Sequence, residues 1–193
     1  MSSITLKVIR EEHGTLAAIL RSLRMLAERG PGKEAGTFFD AMRAMLFYID
    51  EFPERLHHPK ETELLFPPIA QRAPEVAEAI ARLDREHAGG EAAVRELGHL
   101  LLAWELMGES RRATFVEALD RYITFYLEHM RLEETVVLPA ALQHLTDEDW
   151  AAMDAAFASN TDVLAQGATP DPAYERLFSR IVHSAPPPLG MGR

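Results

Sequence analysis

The chain of 193 residues contains no cysteine. That excludes disulfides, thiolate metal sites, Cys-ligated iron–sulfur clusters and covalently attached c-type haem. No apolar run approaches the roughly 18 residues that a membrane span needs. The opening MSSITLKVIREEH lacks the apolar core of a signal peptide, so a cytoplasmic chain without membrane contact is expected. Basic stretches are missing as well. Lys and Arg total 20 against 30 Asp and Glu, and no basic stripe offsets the formal net charge of −10. Nucleic acid is therefore not an expected partner. The acidic excess serves solubility, or it turns some carboxylates towards a cation. Strand-like alternation is absent too.

What is present is helical periodicity. Leu6, Ile9, Leu16, Leu20 and Leu23 mark a first helix from Ser3 to Arg29, and GPGKEAG at 30–36 breaks it. A second runs from Thr37 through Met42, Met45, Ile49 and Leu56 towards Phe66, where PPIAQRAP is expected to end it. Pro74 suits the first residue of a third, which carries Ile80, Leu83, Val94, Leu97 and Leu101 and stops near Gly108. Ser110 suits the cap of a fourth, with Phe115, Leu119, Tyr122, Tyr126 and Val136 ahead of Pro139. Four long amphipathic helices with short connections predict an all-α, up-down four-helix bundle over residues 1–145.

Residues 146–193 read as a C-terminal extension. Thr146 with Asp149 forms a capping-box pattern for a short helix through Trp150 and Phe157. QGATPDP reads as a loop, Asp171 and Pro172 as the start of a last helix reaching His183, and SAPPPLGMGR as an extended tail. Packing over a bundle end, a homodimer surface and a lid on a ligand path are all open roles for these helices.

Each of the four bundle helices places one histidine on its apolar stripe: His13, His57, His87 and His129. His58, His99, His144 and His183 read as surface or edge residues; His58 could stand in as a further ligand, but next to His57 on an α-helix it points roughly 100° away. Imidazoles converging in a core satisfy one another poorly, because their charged forms repel, and a metal ion resolves this directly. Two of the four carry a glutamate one turn on, His57 with Glu61 and His129 with Glu133. HHPKETELLFP and HMRLEETVVLP repeat this motif 72 residues apart, and REEH and DREH end 74 apart at His13 and His87. The chain thus reads as two helix hairpins related by approximate two-fold symmetry. Pro53 and Pro59 predict kinks beside His57. Tyr126, one turn before His129, is either a donor behind the site or a core aromatic.

The pattern H…H-x-x-x-E…H…H-x-x-x-E, with LFP and VLP trailing the two pairs, resembles the hemerythrin-like HHE cation-binding family over roughly residues 5–145. ERLH and ELGH echo the ferritin-like Glu-x-x-His motif, but His99 lies off the stripe of His87, and histidines take the inward positions of the first and third helices. The resemblance implies a left-turning bundle around a non-haem di-iron centre ligated by His13, His57, Glu61, His87, His129 and Glu133. It implies two iron ions with a bridging oxo or hydroxo group; manganese or zinc fit the same cage. The family's oxygen carriers use five histidines and two carboxylates, whereas the core stripes here supply four histidines. About two positions of two six-coordinate ions then stay open. The implied function is to bind, sense or detoxify a small molecule such as oxygen, nitric oxide or peroxide, with or without enzymatic turnover. The alternative is an iron-handling or iron-sensing module.

Overall fold

The computed structural model describes residues 3–158 and 175–185. The expected QGATPDP loop, the helix start at Asp171 and the tail beyond Ala185 lie outside them. Helix α1 spans Ile4–Arg29. A second rod is assembled from α2 (Ala35–Ile49), a π-helical stretch (Asp50–His57), α3 (His58–Lys60), a second π turn (Glu61–Leu65) and α4 (Phe66–Arg72). Helix α5 spans Ala77–Met107. The fourth rod joins α6 (Arg112–Leu132), a π turn (Glu133–Val137) and α7 (Leu138–His144). Helices α8 (Asp147–Phe157) and α9 (Glu175–Ser184) follow. No strand occurs among the described residues. Helix α1 packs against α2 and α6, and α5 packs against the same two, closing the four-helix bundle.

Three boundaries differ from the sequence reading, each for a local reason. The second rod does end within PPIAQRAP, but only at Arg72, past Pro67 and Pro68. The π turn ahead of them carries the Phe66 N–H five residues back to the Glu61 carbonyl. Pro67 and Pro68 then occupy the first turn of α4, where a missing N–H leaves little unpaired. Pro139 sits in the same relation to the Leu138–Glu133 bond, and the fourth rod runs on to His144. Ser110 does not cap α6. It lies inside a 3₁₀ turn, Glu109–Arg111, that leads into the helix, much as Pro74–Val76 leads into α5. The Arg112 guanidinium, meanwhile, donates to the Ala27 and Glu28 carbonyls at the C-terminus of α1.

Apolar packing falls into two layers. One contains Leu16, Leu23, Met42, Trp104, Phe115 and Tyr126, and Ile181 and Ala185 at the end of α9 join it. The other contains Ile9, Phe66, Ile69, Leu83 and Leu138, with Met153 and Phe157 of α8. The inward histidines lie between the layers. Helix α8 is held by the capping box of Thr146 and Asp149 and by Asp154. Asp154 accepts from the Ser3 hydroxyl at 2.7 Å, the Thr5 N–H at 2.9 Å and the Thr5 hydroxyl at 2.7 Å. Asp154→Ala removes this acceptor from the N-terminus of α1. It is expected to lower unfolding free energy by about 1–2 kcal/mol, measured by urea titration.

Candidate metal centre

Each helix presents its histidine between the two layers because the stripe of i, i+3 and i+4 apolar residues fixes which face turns inward. Two groups of side chains result. His13, His57, Glu61 and Glu133 form one; His58, Glu61, His87 and His129 form the other. Within each group one potential ligand atom per residue lies within 4.8 Å of every other. All six residues singled out in the sequence converge here. His58 converges with them, which corrects its reading as a surface or edge residue: it is buried and stacks on His87 with ring centroids 4.1 Å apart. The π-helical stretch ending at His57 explains this. A π turn holds more residues than an α turn, so neighbours diverge by less than the α-helical value of about 100°, and consecutive histidines both reach the interior. Pro53 and Pro59 mark the same irregularity. The adjacent His-His pair flanked by prolines was the available signal. His99 and His183 are exposed and His144 half-buried, as expected.

The five imidazoles share one arrangement. Each anchors Nδ1 outward, His13 to Glu134 at 2.9 Å, His57 to Glu12 at 2.5 Å and His129 to Glu86 at 2.9 Å. His58 faces Glu54 at 3.1 Å, and His87 the Thr62 hydroxyl at 2.9 Å. An ionised carboxylate only accepts, so Glu12, Glu86 and Glu134 keep the proton on Nδ1 and turn Nε2 to the centre. Inside, His87 Nε2 lies 3.3 Å from His129 Nε2 and 3.5 Å from Glu61, and His13 Nε2 lies 3.3 Å from Glu133. His57 Nε2 comes within 2.8 Å of Glu61 without the alignment of a hydrogen bond. Behind His58, Glu54 also accepts from the Tyr126 hydroxyl, so Tyr126 is a core aromatic and a donor behind the site at once.

The two central carboxylates are the exceptional feature. Glu61 and Glu133 are 0% exposed, and none of their four oxygens has a hydrogen-bond partner. Such groups are costly to bury unless a cation or proton compensates them. The surrounding groups are shifted in the direction that puts protons in that role. Burial opposes charge on His13, but Glu133 and Glu134 outweigh it and hold its pKa up at about 9. Burial likewise opposes charge on His57, and Glu61 and Glu12 overcome it. Burial and the neighbouring Glu133 push Glu61 up to about 8. Burial and His129 push His87 down to about 3, and burial with His87 pushes His58 down as well. One group is thus held together by protons, while the other keeps neutral imidazoles. Neutral Nε2 atoms converging on orphaned carboxylates are a donor set suited to a divalent or trivalent cation of the first transition row.

A cavity of about 10 Å³ adjoins the centre, lined by Leu16, Tyr48, Phe52, Tyr126 and Met130 beside the histidines. That is room for about one water-sized molecule. Phe157 of α8, fully buried, faces His57 edge-on at a centroid distance of 6.1 Å.

Two predictions follow from this geometry. The folded, metal-free protein holds protons on His13 and His57 that an unfolded chain releases near pH 6.5. That stabilisation is complete below about pH 6.5 and is lost as pH rises through about 9, so the thermal midpoint of metal-free protein falls across this window. Separately, a Cβ at Gly90 would lie 2.5 Å from a Glu54 oxygen. Gly90→Ala therefore displaces the carboxylate behind His58 and costs about 1–3 kcal/mol in urea unfolding, a loss that added Glu54→Ala reduces.

No curated protein matches the chain. Among known families, the hemerythrin HHE cation binding domain matches residues 5–141, a span that contains all seven inward residues. The chain belongs to the hemerythrin HHE cation-binding family.

Proposed function

We propose that the protein is a non-haem di-iron protein whose centre binds a diatomic molecule or peroxide, in sensing or in detoxification. The observation that carries this reading is the pair of fully buried carboxylates that make no aligned hydrogen bond and face five anchored imidazoles. His13, His57, Glu61 and Glu133 would hold one ion, and His58, Glu61, His87 and His129 the other. Bound iron would supply an open coordination position and a redox couple. His58 takes one position that a four-histidine set leaves open, so about one remains for a small ligand.

The chain's own residues set the remaining conditions. Glu12, Glu86 and Glu134 keep the Nε2 lone pairs aimed inward and raise their basicity. Leu16, Tyr48 and Phe52 keep bulk water from the small cavity, whose size favours oxygen, nitric oxide or peroxide over an organic substrate. The protons held by His13 and by the His57–Glu61 pair must leave when a cation enters. Uptake at pH 7 therefore releases protons, and affinity rises with pH up to about 9.

That exchange also favours a second reading. A cation that replaces stabilising protons couples occupancy to fold stability, which is what an iron-sensing module needs. Stoichiometric spectral change of the iron-loaded protein with oxygen, nitric oxide or peroxide supports the first reading; a change in stability alone supports the second. Ligand assignment is tested by metal content after anaerobic iron(II) loading. Glu61→Ala, common to both groups, is expected to lose both ions, while His13→Ala and His58→Ala each lose about one of the two. Wild-type metal content in Glu61→Ala would contradict the assignment.

A further inference from the structure

A groove of about 450 Å³ runs between α5 and α6 on the outer side of the buried centre. This volume falls within the range of small-molecule sites. Its floor is apolar, made by Ala93, Leu97, Tyr122 and Phe125. Arg82, Arg85 and Arg121 stand around it. We propose that the groove binds an organic monoanion, a carboxylate on a medium-length alkyl chain, and that its occupancy is coupled to the metal centre through Glu86. The binding clause stands on the groove alone; the coupling clause rests on the metal reading above.

Charge selects the occupant. The chain carries a formal net charge of −10, yet three arginines line this apolar-floored concavity. Arg82 is bonded to Glu86 at 2.7 Å and Arg121 to Glu117 at 2.8 Å. Arg85 has no carboxylate partner among the described residues and offers the fork geometry that a carboxylate accepts. Glu86 and Glu96 also border the groove, so a polyanion meets repulsion that a single carboxylate avoids. The apolar floor takes the alkyl body.

The wall of the groove is also the back of the metal centre. Glu86 gives one oxygen to Arg82 and the other to His129 Nδ1, at 2.7 and 2.9 Å. Tyr122 lies on the floor, with its hydroxyl 3.5 Å from the Glu54 carboxylate that faces His58. Two groove residues therefore touch the outer partners of two imidazoles in the same group. A bound carboxylate competes with Glu86 for Arg82 and leaves Glu86 a stronger acceptor for His129. By linkage, the metal and the anion must then alter each other's affinity by the same factor.

The probe is decanoate, titrated calorimetrically into metal-free protein and into zinc-loaded protein of measured metal content. One decanoate is expected to bind metal-free protein, and decylamine is not. Arg85→Glu on the surface, and Ala93→Trp filling the groove, should each weaken binding about tenfold or more. Affinity should differ at least about threefold between zinc-loaded and metal-free protein, and Glu86→Gln should shrink that difference. Absent binding, equal binding of decylamine, or indifference to Arg85→Glu overturns the site, and Arg85→Glu decides even where Ala93→Trp fails to fold. Equal affinities in protein shown to hold zinc overturn the coupling. Failure to take up any metal counts against the centre and the coupling, while the metal-free arm still decides the groove.

Discussion

Glu61 and Glu133 lose their hydration entirely on folding and receive in return only imidazole nitrogens at 2.8 to 3.5 Å, none aligned as a hydrogen bond. Two carboxylates in that condition are tolerable only if positive charge lies between or beside them. The rest of the molecule answers this constraint. Two apolar layers seal the carboxylates from water above and below, five imidazoles surround them, and the glutamates outside orient those imidazoles. Without a cation, His13 and His57 supply the positive charge as protons, drawing their pKa values upward against the opposing effect of burial. A metal ion exchanges places with those protons. Fold stability, pH response and cation binding are thus three views of one electrostatic balance.

The outer partners follow the two-fold pattern of the sequence more closely than the intervening residues do. Glu12 and Glu86, each just before the histidine of its own helix, reach across to His57 and His129 of the next. Glu134 and Thr62, each just after a central glutamate, reach His13 and His87. The symmetry fails where the two groups differ. Met130 stands 72 residues after His58, and Tyr126 stands 72 after Glu54, so only the first hairpin contributes an extra imidazole with its own carboxylate. That carboxylate needs the space Gly90 leaves, and the Tyr126 hydroxyl bonds to it across the pseudo-two-fold relation. The asymmetry gives the two groups unlike charge: one is rich in carboxylate and protonated histidine, the other in neutral imidazole.

The bundle and its inward histidines were legible because amphipathic periodicity fixes which face of a regular α-helix is buried. That inference fails where the helix is not regular. The π-helical stretch at Asp50–His57 changes the angular spacing, and α-helical geometry therefore sent His58 to the surface. The π turns before Pro67 and Pro139 let both rods continue through prolines that ordinarily stop a helix. The anchoring glutamates are not legible in the sequence for another reason: their partners lie on neighbouring helices, as with Glu12 and His57, and no spacing within one helix reveals such a pair. The groove between α5 and α6 is likewise a property of two helices together.

The central claim is that the buried carboxylates and five imidazoles form a two-cation site. The most direct measurement is an anomalous-scattering map at the iron edge from crystals of anaerobically iron-loaded protein. The account predicts two peaks, one among His13, His57, Glu61 and Glu133 and one among His58, Glu61, His87 and His129. A map without peaks between the two apolar layers, from protein whose iron content is known, would contradict it.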